Sequence, residues 1–146
     1  MAIKNKLGLI ARVSATAAIA TGMAVAFQPA ALAASPVVTV SPATGLSDGE
    51  TVTVTGTGLT PGVTYHVSQC EFVTSGSYGC DPSTVIDIVA DAQGKVSTQF
   101  VVHKTFQAVK GADGVPAGTV DCTVTACAVG MGDDQGVGGG QRITFG

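Results

Sequence analysis

The sequence has no tryptophan and only two tyrosines and five phenylalanines. Without tryptophan, the ordinary immunoglobulin core, in which an inter-sheet disulfide packs on a Trp, is excluded. Basic residues are also scarce. Lys4, Lys6 and Arg12 lie at the extreme N-terminus, and beyond residue 33 only Lys95, Lys104, Lys110 and Arg142 remain against ten acids, a net charge of −6. Such a surface repels phosphate backbones and anionic lipid, so direct gripping of nucleic acid or adhesion to a membrane is not expected. Asn5 is the single asparagine, so the rest of the chain has no N-glycosylation site. No Gly-x-Ser-x-Gly elbow occurs, and Gly136-Val-Gly-Gly-Gly140 lacks the Lys-Ser/Thr and the helix of a phosphate loop. It reads as a flexible turn. Asp133-Asp134 alone is too little for a cation site.

The N-terminal third has the form of an export signal. Its positive start precedes an apolar, Ala-rich stretch from Val13 to Phe27, and Ala31-Leu-Ala33 supplies the small-x-small pattern of a cleavage site. Residues 1–33 are expected to be a signal peptide, leaving a single domain at 34–146 outside the cell.

All four cysteines fall in that domain. An even count in an exported chain points to two disulfides. Of the three pairings, chain entropy alone favours a long one: about 4 kcal/mol for a 70–122 bridge, against about 2.8 for 70–80 and about 2.2 for 122–127. Each local pair, however, flanks a short polar turn where the thiols meet early and often. Cys70–Cys80 and Cys122–Cys127 are therefore predicted. Zinc is the rival use of four cysteines, but its usual short knuckles are only half present.

The remainder reads as strands. Thr51-Val-Thr-Val-Thr55 alternates with period two, placing Val52 and Val54 inward. Val37–Ser41, Thr64–Cys70, Thr84–Val89, Lys95–His103, Thr119–Cys122, Cys127–Met131 and Gln141–Phe145 are further extended runs, some of them entering or leaving the closed loops. Residues 104–117, broken by Gly111, Gly114 and Pro116, read as irregular. About seven strands between turn signals predict an all-β, immunoglobulin-like antiparallel sandwich, with a disulfide-closed β-ribbon at 70–80. The last strand is expected to pair deep in a sheet and tie down the C-terminus.

Two of the rare aromatics, Phe72 and Tyr78, sit inside the 70–80 ribbon, outside the expected core. There they would either pack the ribbon on its own scaffold or wall an apolar cleft suited to a flat hydrophobic molecule. Ala128-Val-Gly-Met-Gly132 would floor that cleft, since glycine lets a ligand approach the backbone. His66 and His103 fall on strands. Ser68 shares a face with His66 but lies too far along it for a nucleophile–base pair, so a hydrolase has little support.

The same residues resemble a known family. Ser41-Pro-Ala-Thr-Gly-Leu-Ser-Asp-Gly49, Gln69-Cys70 with Cys80-Asp-Pro82, Thr119-Val-Asp-Cys122 with Cys127, and Ile143-Thr-Phe145 are similar to the enediyne chromoprotein apoproteins, the neocarzinostatin family. The resemblance covers 34–146. It implies a seven-stranded Greek-key sandwich or barrel with a small ribbon subdomain, and two local disulfides. It also implies a non-enzymatic, secreted carrier, with no covalent cofactor, that holds a labile enediyne chromophore non-covalently; small size and acidity point to a monomer. DNA would be cut by the released ligand, giving an antibacterial, cytotoxic holo-antibiotic. Carried over by position, Phe72 and Tyr78 wall the site and the Cys70–Cys80 bridge floors it. Val85 stands where the family's namesake has a stacking Phe, Ala112 where it has another bulky aromatic, and Met131 and Gly132 match cleft positions after the second bridge. The rival reading is an immunoglobulin-like module with no small ligand.

Overall fold

A computed structural model describes residues 35–71, 79–111 and 113–146. Nine strands run through them: β1 (Val37–Ser41), β2 (Thr51–Thr57), β3 (Thr64–Glu71), β4 (Ile86–Val89), β5 (Val96–Val101), β6 (Thr105–Lys110), β7 (Val115–Asp121), β8 (Cys127–Gly132) and β9 (Gly138–Ile143). All pair antiparallel, in a three-stranded sheet β1-β2-β5, a four-stranded sheet β4-β3-β8-β9 and a two-stranded hairpin β6-β7. Seven strands thus form the sandwich, as the sequence predicts, and the hairpin is added to it.

Period-two patterning decides which face turns inward. Val38 and Val40 of β1, Val52 and Val54 of β2, and Phe100 of β5 oppose Tyr65 and Val67 of β3 and Val129 and Met131 of β8, all within one buried cluster. Tyr65 is fully buried but keeps a polar partner, its hydroxyl accepting from the Thr60 amide at 3.0 Å. Gly56 suits the place where the sheets meet, because a Cβ there would lie 2.9 Å from the Met131 sulfur and 3.0 Å from a Leu59 methyl, and both side chains would have to shift.

Three expectations are corrected. The stretch 104–117 is not irregular: all of β6 and the start of β7 lie in it, with a bulge between Ala108 and Val109. Its glycines and Pro116 serve the hairpin's turn and bulge. Gly138, Gly139 and Gly140 are not a turn but the first half of β9, pairing with Gly132, Met131 and Gly130. Here the backbones come so close that a Cβ on Gly138 would overlap the Met131 carbonyl. Lastly, β9 is an edge strand of its sheet and ends at Ile143. The C-terminal residues are nonetheless tied down: Leu46 and Phe145 form a parallel bridge, and the Leu46 amide donates to Thr144 O at 3.0 Å.

Candidate functional site

The alternation that sends Val67, Gln69, Val129 and Met131 inward sends Ser68, Cys70, Ala128, Gly130 and Gly132 to the other face of β3 and β8. These positions are in register, Ser68 opposite Gly130 and Cys70 opposite Ala128. Beyond them on β9 stand Gly140 and Arg142. The result is a patch with few side chains, all its β3 and β8 members half-buried.

Cys80 closes one margin of the patch. It is bonded to Cys70, and the second disulfide joins Cys122 to Cys127, so both predicted pairings hold and no cysteine is free. Cys80 also exchanges two main-chain hydrogen bonds of 2.9 Å with Val109 of β6, while its neighbours Gly79 and Asp81 bond Glu71 and Gln69 of β3. One residue therefore couples the β6-β7 hairpin to the four-stranded sheet. The hairpin lies close on that segment: a Cβ on Gly79 would stand 2.7 Å from Ala108 Cβ and 3.3 Å from Ala117 Cβ. The Ser68 hydroxyl points to the bridge, with Oγ 3.4 Å from Cys70 Sγ.

The other candidates distribute as follows. Ala128 and Gly132 belong to the patch. Met131 does not: it is 3% exposed and its sulfur lies over Gly56 inside the sandwich, so its side chain is a core element. Val85, just before β4, is exposed and lines a shallow concavity of about 480 Å³ with Thr51, Gln99, Phe100 and Val101, none of them a candidate. Phe72, Tyr78 and Ala112 lie outside the described residues. Ser68, which the sequence reading did not single out for the cleft, stands on the patch, and Val109 reaches its margin through the two main-chain bonds to Cys80. Ser68 was legible from strand parity, whereas the link of Val109 to Cys80 depends on a hairpin the sequence did not announce.

The histidines are both acid-bound. His66 contacts Asp87 and Asp134. His103 donates from Nδ1 to Asp81 Oδ2 at 3.1 Å, and Asp81 Oδ1 accepts from the Ser83 hydroxyl at 2.6 Å and the Ser83 amide at 2.9 Å. The carboxylate thus sits between serine and histidine. In a nucleophilic relay the imidazole holds the middle place, so Ser83 is not primed by His103. This trio borders a concavity of about 370 Å³ with Pro82, Thr105 and Phe106.

Burial works to raise the Asp81 pKa, but the hydrogen bonds from Ser83 and His103 outweigh it and hold the carboxyl below its ordinary value. A depressed pKa means that this carboxylate stabilises the fold above an ordinary unfolded pKa of about 3.9, and the stabilisation is lost as pH falls through the lower folded value. Asp81→Asn should flatten that acid limb in stability curves measured between neutral and strongly acidic pH. A limb of unchanged slope would assign acid sensitivity to other carboxylates.

Comparison with known proteins agrees with this construction. Residues 38–145 match the model of the neocarzinostatin family. Macromomycin of Streptomyces macromomyceticus is 52% identical over 143 residues, covering 98% of this chain and 99% of that protein. The antitumor antibiotic C-1027 apoprotein of Streptomyces globisporus is 38% identical over 146 residues, the full length of both. A solved structure of macromomycin superposes with a TM-score of 0.74 at 58% identity, covering 77% of this chain and all of that one. With the sandwich, the coupling hairpin and both disulfides in place, the chain belongs to the neocarzinostatin family.

Proposed function

We propose that this protein is a secreted, non-enzymatic carrier that binds a labile enediyne chromophore non-covalently and protects it until release. The observation that carries the reading is the patch of Ser68, Cys70, Ala128, Gly130 and Gly132 beside the Cys70–Cys80 bridge. A face with so few side chains lets a flat, apolar ring system approach the backbone, and polarizable disulfide sulfur suits such a surface. Family membership supports the ligand class, and a relative named as an antitumor antibiotic apoprotein supports the biological setting. Phe72 and Tyr78 are proposed as walls from their sequence positions, and Val85 as a distal contact.

The charge argument assigns the chemistry to the ligand. A domain of net charge −6 is repelled by DNA. DNA cleavage therefore follows chromophore release rather than docking of the protein. The signal-like residues 1–33 deliver the carrier, a monomer in this reading, to the medium.

The test is native mass spectrometry with absorption spectroscopy on protein from the producing culture, kept cold and dark. Extra non-covalent mass, with absorbance that Tyr and Phe cannot supply, is the expected result. Protein that stays bare, and that fails to take up an added enediyne chromophore, would refute the carrier reading and leave a ligand-free module. Within the carrier reading, Phe72→Ala should weaken chromophore binding by about 1–3 kcal/mol, one to two decades in Kd. Unchanged affinity would remove Phe72 from the wall.

A further inference from the structure

His66 lies in β3 between two neighbours in register, Asp87 of β4 on one side and Gly132 of β8 on the other. Both ring nitrogens are engaged. Nδ1 is 2.7 Å from Asp87 Oδ1, and Nε2 is 2.8 Å from Asp134 Oδ1 in the turn between β8 and β9. A neutral imidazole carries one N–H and one lone pair. It can donate to one of these acids only, and its other nitrogen would then press a lone pair against an anion. The two contacts coexist in the imidazolium alone. Because the carboxylates hold opposite nitrogens, the three groups do not converge on a common point for a metal ion, and no metal-binding cluster occurs among the described residues.

We infer that Asp87, His66 and Asp134 form a proton-operated latch that fastens the β8–β9 turn to β3 and β4, closed when His66 is protonated and open when it is neutral. The weak link is the turn. Asp87 is fixed by strand pairing, whereas the Asp134 side chain is 89% exposed. On proton loss Nδ1–H keeps Asp87 and Nε2 releases Asp134. The turn itself stays folded, since Asp133 Oδ1 accepts from the Gln135 and Val137 amides at 2.9 and 2.8 Å. Opening therefore leaves the turn held by these internal bonds alone, so they break and re-form more often and its amides are protected less than in the latched state. By strand parity His66 shares its face with Ser68 and Cys70, so the latched turn bounds one end of the small-residue patch.

The surrounding charges favour the closed state. Besides His66, β3 contributes Glu71, β4 contributes Asp87 and the turn contributes Asp133 and Asp134, while β8, whose Cys127 is bridged, has no ionisable side chain. The one cation on these elements, Arg142 of β9, is in register with Ala128, four residues along β8 from Gly132. Hydrogen bonding to Asp87, then to Asp134, raises the His66 pKa above its ordinary value, against a smaller opposing effect of burial. While both carboxylates are charged, a raised pKa places the latch fully closed below about pH 6.5 and opens it as pH climbs through the folded value.

The latch belongs to the protein alone, so its test stands whether or not the patch holds a chromophore. Ring-nitrogen NMR would follow His66 through pH while amide exchange, corrected for intrinsic rates, follows Asp133 and Gly136 in the turn. The expected result is a His66 midpoint above the ordinary value, lowered by Asp134→Asn, with turn protection reduced above the midpoint. In His66→Gln, protection should be low and independent of pH. A midpoint indifferent to Asp134→Asn, or turn protection constant across the His66 titration, would overturn the inference. Asp134 is exposed, so its variant tests the latch without threatening the fold.

Discussion

Replacing Gln69 with leucine is expected to lower the stability of the fold by about 2–4 kcal/mol. Gln69 is completely buried in β3, yet polar. Its side-chain amide embraces one residue's backbone: Nε2 donates to His103 O at 2.7 Å, and Oε1 accepts from the His103 amide at 2.8 Å. The same Nε2 lies 3.4 Å from Cys122 Sγ. One side chain thus joins β3, the junction between β5 and β6, and the second disulfide. Leucine has nearly the right volume but leaves a donor and an acceptor unpaired at that junction, and orphaned main-chain groups are what folded proteins avoid. Urea unfolding should show a lower midpoint with an unchanged slope. A loss below about 1 kcal/mol would mean that water reaches His103 in the variant and replaces the amide.

Removing the Cys70–Cys80 bridge by replacing both residues with serine is expected to cost about 3 kcal/mol, the chain-entropy value for so short a loop, within the usual 2–5 for small exported domains. The paired change at Cys122 and Cys127 closes a smaller loop and should cost about 2 kcal/mol by the same relation. The first variant has a further local effect. Cys80 is the residue through which the β6-β7 hairpin is hydrogen-bonded to the four-stranded sheet. Once its covalent anchor to β3 is gone, amide protection at Cys80 and Val109 should fall before that of the sandwich strands. Global unfolding with no such early loss would show that the hairpin is held by its packing on Gly79 and not by the bridge.

The residues show why some of this architecture was legible in the sequence and some was not. Val52 and Val54 announced their faces because Thr and Val alternate without interruption. The cysteines were readable because each pair brackets a turn. The β6-β7 hairpin was missed because Gly111, Gly114 and Pro116 were counted as breakers, whereas they occupy its turn and the strand beside its bulge, where a residue without an amide hydrogen is tolerated. Gly138 to Gly140 misled in the opposite sense. A glycine run looks like slack chain, but at Gly138 it answers a backbone contact too close for any Cβ, a cause that lies on another strand. Met131 was assigned to the cleft through its glycine neighbours. The period of two, already visible in Cys127, Val129 and Met131, would have placed it in the core. The acid–histidine–acid row was out of reach, because Asp87 and Asp134 meet His66 only through strand register and the fold of a turn.

The outer border of β1 has a consequence for how the protein keeps company with itself. An edge strand with free amides is a template on which another chain can add, the first step towards fibrils or strand-swapped pairs. Here the Val40 amide donates to Gln141 Oε1 at 2.6 Å, a bond from strand to side chain across the two sheets. Gly139 brings β9 so near that a Cβ there would touch Val38 at 3.4 Å. The C-terminal residues close the same seam, with Thr144 donating to Ala43 O at 2.9 Å and Gly146 to Leu46 O at 3.0 Å. Gln141 and the close approach of β9 at Gly139 thus cover part of this border of the sandwich and leave less of it for another copy of the chain to add to.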